Sequence, residues 1–385
     1  MMSTPSQQWT VRTVSVTARE FLKQRGVPAP RLDSELLLAH VLGRTRLELF
    51  MDFDRPLSEE ERSKYREAVK LRGQRVPLQH ITGHAEFMSL RFKVSPAVMI
   101  PRPETELVVE RVLRLLGKCS TGVPPVPEST ASGLPSPERI TGVPPVPTGK
   151  GEAPTEPLLD RSRAAGKDAG APRDDSSLHA CRTETAPGRK SDTAIQSEPG
   201  SLVARHDSPP AIADIGTGSG NIVVAIARSA PDIQIFATDC SAEALEVARE
   251  NAARHRVDGR ITFALGDLFT PLRGIGLEGT LALVVSNPPY VGISEEGTLQ
   301  PEVLHDPRIA VFAGEDALVF YRRIATEAPE MLAPGGHVVV ELGAGQRGAV
   351  EDIFRSTGRY SGFDVDADLA GIERVFHARV EGGSS

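Results

Sequence analysis

Apolar positions recur at helical spacing from about residue 10 to 75. "TVSVTAREFLKQRG" sets Val16, Phe21 and Leu22 near one face and stops at Gly26. "RLDSELLLAHVLG" does the same with Leu32, Glu35, Leu36, Ala39, Val41 and Leu42, and Gly43 ends it. "SEEERSKYREAVKLRGQ" begins with a serine cap and an acidic first turn and ends at Gly73. The spacing therefore predicts a small helical bundle within residues 1–83, with Trp9 in an exposed tail. The period then changes. Phe87, Leu90, Phe92, Val94 and Val98 alternate as in short strands, so 84–100 reads as a hairpin linker. "PRPETELVVERVLRLL" puts proline at a helix start and predicts a helix within 101–117.

After residue 210 the pattern becomes strand, glycine loop, helix, strand, and repeats. "AIADIGTGSGNIVVAIARSA" leads into "IQIFATDCSAEALEVARENAARH", then "ITFALGD", "LALVVSNPPY", a helix ending at "APGG", "HVVVELG" and "ERVFHARV". Alternating β and α units predict an α/β, doubly wound sheet over 211–380. Between the two regions, 118–210 holds 15 of the chain's 31 prolines and no Phe, Trp or Tyr, and it repeats "TGVPPVP". With so little to bury, it cannot offset its ordering entropy and is expected to be a disordered insert. A proline-rich ligand for a partner is the functional alternative.

Composition narrows the classes. Among 385 residues the formal net charge is −7, which gives no global basic footprint for nucleic acid. Cys119, Cys181 and Cys240 form no CxxC pair, so neither a zinc site nor a disulfide framework is indicated. No apolar run approaches the length of a membrane span and the N-terminus lacks an apolar signal core, so a cytoplasmic protein without membrane contact is expected. His80 and His84 read as packing or surface residues, and Met88 and Met99 as hydrophobic filler.

Three predicted strand ends carry candidate chemistry. "DIGTGSG" joins the first strand of the α/β region to its helix, and glycines there allow a tight turn and close approach of a ligand. Asp239 ends the next strand, 19 residues after Gly220, a spacing at which a carboxylate takes ribose hydroxyls. Asp267 ends the third. Any one of these could be an ordinary turn, but ligands of such folds sit at the carboxyl ends of strands, where all three point.

The fourth strand ends in "VVSNPPYVG". Strand termination accounts for a proline here, though not for the whole group of amide, two prolines and ring. Two acceptors on the hydrogens of an amide or amino NH2 fix its plane and leave the nitrogen lone pair exposed. The side-chain oxygen of Asn287 and the carbonyl of Pro288 are candidate acceptors, Pro288 and Pro289 stiffen the turn, and Tyr290 offers a face for a planar group.

The loop's G-x-G-x-G form, Gly216, Gly218 and Gly220, resembles the S-adenosylmethionine loop of class I methyltransferases. That resemblance implies S-adenosyl-L-methionine held by Gly216, Thr217, Gly218, Ser219 and Gly220, ribose on Asp239, adenine at Asp267 and Leu268, and Asn287 beside the methyl group. N-P-P-Y serves both nucleic-acid amino groups and glutamine. Taken together, "RLDSELLLAHVLG", "RVPLQHITGHAEFMSLRFKVSPAVMIPRPETELVVERVL", "DIGTGSG", "SNPPY" and "GGHVVVELGAGQ" resemble the release-factor glutamine methyltransferase family, HemK or PrmC. The resemblance covers about 10–116 and 210–380, and "IPRPETE" is its most specific element. It implies a helical substrate-binding domain, a hairpin and a methyltransferase domain. It also implies methylation of the GGQ glutamine of class 1 peptide-chain release factors, with Asn287, Pro288, Pro289, Tyr290, Arg102 and Glu104 meeting the substrate, no metal, no direct nucleic-acid binding and a monomer. Arg102 and Glu104 could equally be a surface pair at a helix start. His80, Asp306 and Ala317 depart from the family pattern. A nucleic-acid amino-group methyltransferase and a non-catalytic cofactor-binding scaffold are the alternatives; the acidic charge speaks against the first, and the intact loop and Asn287 against the second.

Overall fold

The computed structural model describes residues 9–118 and 209–382. Apart from its ends, the proline-rich stretch 118–210 lies outside the described residues.

Five helices open the chain: α1 (Val11–Gln24), α2 (Pro30–Leu42), α3 (Arg46–Met51), α4 (Glu59–Gly73) and α5 (Leu78–Thr82). Thr10, Thr45 and Ser58 close capping boxes on α1, α3 and α4, satisfying N–H groups that a helix start leaves free. Leu22, Leu37 and Leu38 are fully buried among them. The buried stripe of α1 is Val11, Val14, Ala18 and Leu22. Val16, expected on that face, is 46% exposed, because a helix covering the neighbouring α2 and α4 needs only a narrow stripe. Leu32 is likewise exposed, whereas Asp33 and Glu35 are buried in ion pairs: Arg72 Nε donates to Asp33 at 2.7 Å and Arg46 to Glu35 at 2.5 Å. Trp9 is not in an exposed tail. It is half-buried against this bundle, and its carbonyl accepts from Leu57 N at 2.9 Å.

A hairpin of β1 (His84–Phe87) and β2 (Leu90–Lys93) follows. Its two-residue turn, Met88–Ser89, has φ of 49° and 57°, the left-handed geometry a tight hairpin needs. Phe87 and Phe92 bury in the same core as α6 (Glu106–Leu115). Asn251 fastens the hairpin: its Oδ1 accepts from Lys93 N at 2.7 Å, and its Nδ2 donates to the carbonyls of Lys93 and Ser219.

The remainder comprises β3 (Ala211–Ile215), α7 (Asn221–Ser229), β4 (Gln234–Asp239), α8 (Ala242–Arg254), β5 (Ile261–Leu265), β6 (Leu281–Ser286), β7 (Val291–Gly292), α9 (Arg308–Val311), β8 (Phe312–Gly314), α10 (Val319–Met331), β9 (Leu332–Glu341), α11 (Arg347–Ser356), β10 (Tyr360–Ala367) and β11 (Glu373–Val380). Seven strands form one sheet in the order β10-β11-β9-β6-β3-β4-β5. β9, β6, β3, β4 and β5 run parallel; β11 is antiparallel to β9, and β10, antiparallel to β11, runs in the direction of the other five. This is a doubly wound α/β sheet. After β5 the chain returns to the other side of β3, so the winding reverses between β3 and β6, and a crevice opens at their carboxyl ends.

Candidate active site

Parallel register brings the functional groups to one edge. Asp214 lies opposite Val285, and Ser286 opposite Val340, so the loop after β3, Asn287 after β6 and Glu341 at the end of β9 are neighbours.

The loop after β3 turns through Gly216, Gly218 and Gly220, at φ of 77°, 54° and 77°. A Cβ on Gly216 or Gly218 would meet nothing within 4 Å, so these two border open space. On Gly220 it would stand 3.1 Å from Ala248 Cβ, so this glycine lets α8 pack against the loop. Asp239 holds the loop's shape: its Oδ2 accepts from Gly218 N at 2.8 Å and its Oδ1 from Ser241 N at 2.9 Å. Burial pushes its carboxyl up, and these N–H groups pull it back. Thr217 and Ser219 are buried.

Beneath the loop, Asp214 is completely buried, and neither of its oxygens nor the Thr217 hydroxyl closes a hydrogen bond of good geometry. Burial pushes the Asp214 carboxyl up to about 7, against the pull of the Thr217 hydroxyl. An orphaned carboxylate is costly unless a ligand completes it. Sequence reasoning passed over Asp214, although a charge inside the apolar "AIADI" was a visible signal. Asp267 accepts a two-pronged pair from Arg323 at 3.1 and 2.7 Å. Leu268, at φ 45°, turns its side chain into the core, and its carbonyl accepts from Thr238 Oγ1 at 2.9 Å.

At the end of β6, Asn287 Nδ2 donates to Thr105 Oγ1 at 3.3 Å, while its Oδ1 is buried without a partner. Pro288 is buried beside it. Tyr290 OH donates to Glu341 Oε1 at 3.3 Å, and Gln346 Nε2 donates to the Tyr290 carbonyl at 2.9 Å. Thr105 Oγ1 donates to Glu341 Oε2 at 2.6 Å. Glu341 is wholly buried, and burial pushes it up to about 7. Neither Thr105 nor Glu341 was singled out from sequence.

Arg102 pairs with Asp306 at 2.5 Å, and the buried Asp306 also accepts from Ile100 N at 3.4 Å. His80, buried, has Nε2 3.7 Å from Asp306. Burial pushes Asp306 up to about 6 in spite of Arg102. Glu104 is half-buried and adds negative potential at Glu341. A second contact fixes the same segment: Glu302 accepts from Arg75 at 2.7 and 2.6 Å and from Arg72 at 3.0 Å. No cluster of His, Cys, Asp and Glu able to hold a metal occurs among the described residues, and none of their helices is long and apolar enough to cross a membrane.

The strand order, the open glycine loop with its anchored Asp239, the unpaired Asp214 and the N-P-P-Y turn define a class I S-adenosylmethionine-dependent methyltransferase. Residues 15–83 match the PrmC N-terminal domain family and 201–358 the methyltransferase small domain family. The chain is 33% identical to a release factor glutamine methyltransferase of Geobacter sulfurreducens over 98% of this chain and 100% of that one. It is 31% identical to one of Moorella thermoacetica over 96% and 98%, and 32% identical to one of Chlorobaculum tepidum over 91% and 90%. The chain belongs to the release factor glutamine methyltransferase family.

Proposed function

We propose that this protein transfers a methyl group from S-adenosylmethionine to the side-chain amide nitrogen of the GGQ glutamine of class 1 peptide-chain release factors. The observation that carries the chemistry is the buried, unpartnered Oδ1 of Asn287 at the carboxyl end of β6. An amide NH2 is the group such an acceptor suits.

The crevice fits the cofactor: a buried carboxylate without a partner, two glycines bordering open space, and a second carboxylate at the end of β4. When bound, S-adenosylmethionine supplies a methyl group on a positively charged sulfur. Asp214 offers the charge complement beneath the loop, Gly216, Thr217, Gly218, Ser219 and Gly220 line it, and Asp239 accepts from ribose hydroxyls. Asp267 and the Leu268 main chain border the base. Asn287 Oδ1 and the Pro288 carbonyl accept the two amide hydrogens and hold the nitrogen in one plane. Pro288 and Pro289 keep both acceptors in place before substrate arrives, so little reorganisation remains for the reacting complex. Tyr290, tied to Glu341 and Gln346, holds a rigid ring beside the amide. Arg102 acts by fixing Asp306 and the segment after N-P-P-Y, and Glu104 by its charge near Glu341. The helices α1–α5 carry no loop of this kind and serve to orient the protein substrate.

Calorimetric titration of S-adenosylmethionine followed by methyl transfer to a class 1 release factor tests this function. Methylation of the GGQ glutamine is expected. Cofactor binding without transfer to the release factor, or transfer to a nucleic acid instead, would refute it.

A further inference from the structure

The "IPRPETE" stretch was the most specific element of the sequence, yet the chemistry above leaves its threonine without a task. The hydrogen bonds around Thr105 supply one. Its hydroxyl has a single proton, which it donates to Glu341 Oε2 at 2.6 Å. Towards Asn287, 3.3 Å away, Thr105 Oγ1 can then only accept. An acceptor at that place requires the NH2 end of Asn287, and so turns Oδ1 the other way, where it lies buried and unpartnered. Side-chain amides have two nearly isosteric orientations, and nothing in Asn287 itself selects between them. Glu341 also accepts from Tyr290 OH, so one buried carboxylate holds both ends of N-P-P-Y.

We infer that Glu341 and Thr105 are positioning residues that set the polarity of a hydrogen-bond chain, Asn287 Nδ2 to Thr105 to Glu341, and so keep the Asn287 oxygen facing the substrate amide. The idea rests on the glutamine-methylating function proposed above. Reversing the donor at Glu341 reverses the chain: a donor there makes Thr105 Oγ1 accept from it, which frees the hydroxyl proton to donate to the Asn287 oxygen and turns the amide round. Burial pushes Glu341 towards its neutral form, and Glu104 adds to this. Arg374 on β11 opposes it, as do the hydroxyls of Thr105 and Tyr290. Tyr321 OH donates to the Glu341 main-chain carbonyl, at 2.9 Å, and not to its carboxylate.

Glu341→Gln is the direct test, because it keeps the shape and places an NH2 donor against Thr105. Thr105→Val cuts the chain by another route, and Thr105→Ser restores it. Single-turnover methyl transfer to a class 1 release factor, S-adenosylmethionine affinity and the unfolding midpoint would be measured for each. Both Glu341→Gln and Thr105→Val should lower the single-turnover rate by about 10- to 100-fold, as loss of an outer-shell partner commonly does, with cofactor affinity unchanged. Thr105→Ser should recover most of the rate. In an Asn287→Ala background, neither change should lower the rate further, since both act through Asn287. Wild-type rates in Glu341→Gln and Thr105→Val would overturn the inference, as would losses that multiply with that of Asn287→Ala. If either single variant fails to fold, the other decides by the same comparison. An inactive wild-type protein would instead overturn the function itself.

Discussion

The Asp214 carboxylate makes a prediction in two directions at once. Replacing Asp214 with Asn removes an ionisable group from a fully buried position. Its carboxyl is raised from 3.8 to about 7, so at neutral pH and above the native state holds a charge that the unfolded chain would carry more easily. At ~1.4 kcal/mol per pH unit, this amounts to something on the order of 4 kcal/mol. The sign follows from the raised value. Between about pH 4 and 7 the folded protein binds more protons than the unfolded one at this site, so rising pH costs stability, fully so above 7. Ligand-free Asp214→Asn should therefore gain on the wild type as pH rises through that window, by roughly 2–4 °C in Tm per kcal/mol for a domain of this size. The same change should weaken S-adenosylmethionine binding about 10- to 100-fold, since a charged hydrogen-bond partner is worth ~1.5–3 kcal/mol. Thermal unfolding from pH 4.5 to 8, with calorimetric titration of the cofactor, checks both arms. A stability gap that does not change with pH would refute the buried-charge reasoning, and unchanged affinity would remove Asp214 from the cofactor site.

Asn287→Ala should keep the cofactor and lose about 10²–10³ in single-turnover methyl transfer. Asn287→Asp should be as poor as Ala, because Asp offers no NH2 to Thr105; wild-type-like transfer in either variant would remove Asn287 from catalysis. Asp239→Ala should weaken cofactor binding by about 1.5–3 kcal/mol, read by calorimetry. At Glu302, burial raises the carboxyl but the Arg75 and Arg72 guanidiniums outweigh it and hold it at about 2. Its contribution is thus present above 4.5 and lost as pH falls towards 2. Glu302→Gln should accordingly show its largest unfolding defect at neutral pH, a defect that narrows in acid; equal stability at pH 7 would contradict this. Removing residues before His84 should leave cofactor binding intact in a folded product but slow methylation of an intact release factor, and full-rate methylation would count against a substrate role for the helices.

What the sequence disclosed was local. The glycine loop, the strand-ending Asp239 and N-P-P-Y are each written within a few consecutive residues, so spacing alone exposes them. The hairpin was equally legible, because alternation survives in a short segment. What stayed hidden depends on partners far along the chain. Thr105 and Asn287 are 182 residues apart, and Thr105 and Glu341 are 236 apart. Asp214 was on view but looked like part of a strand, since burial is a property of the sheet around it. Val16 and Trp9 were misjudged for a related reason: which of several apolar positions on a helix or tail gets covered is decided by the neighbours, not by its own periodicity.

The segment after N-P-P-Y, 293–305, contains only short 3-10 stretches, at Ile293–Thr298 and Val303–His305. Regular hydrogen bonding therefore gives it little stiffness of its own. Its far end is held by Glu302 on Arg72 and Arg75, and by Asp306 on Arg102. The helical domain is consequently not a portable module. A domain taken from a relative and joined ahead of His84 must bring two guanidiniums to the places of Arg72 and Arg75. Without them, Glu302 is left as a half-buried charge with no counter-ion, and the stretch leading out of the catalytic turn loses its anchor. Chimeras made to redirect the enzyme to another release factor would have to exchange the Glu302 side of the pairing together with the helices.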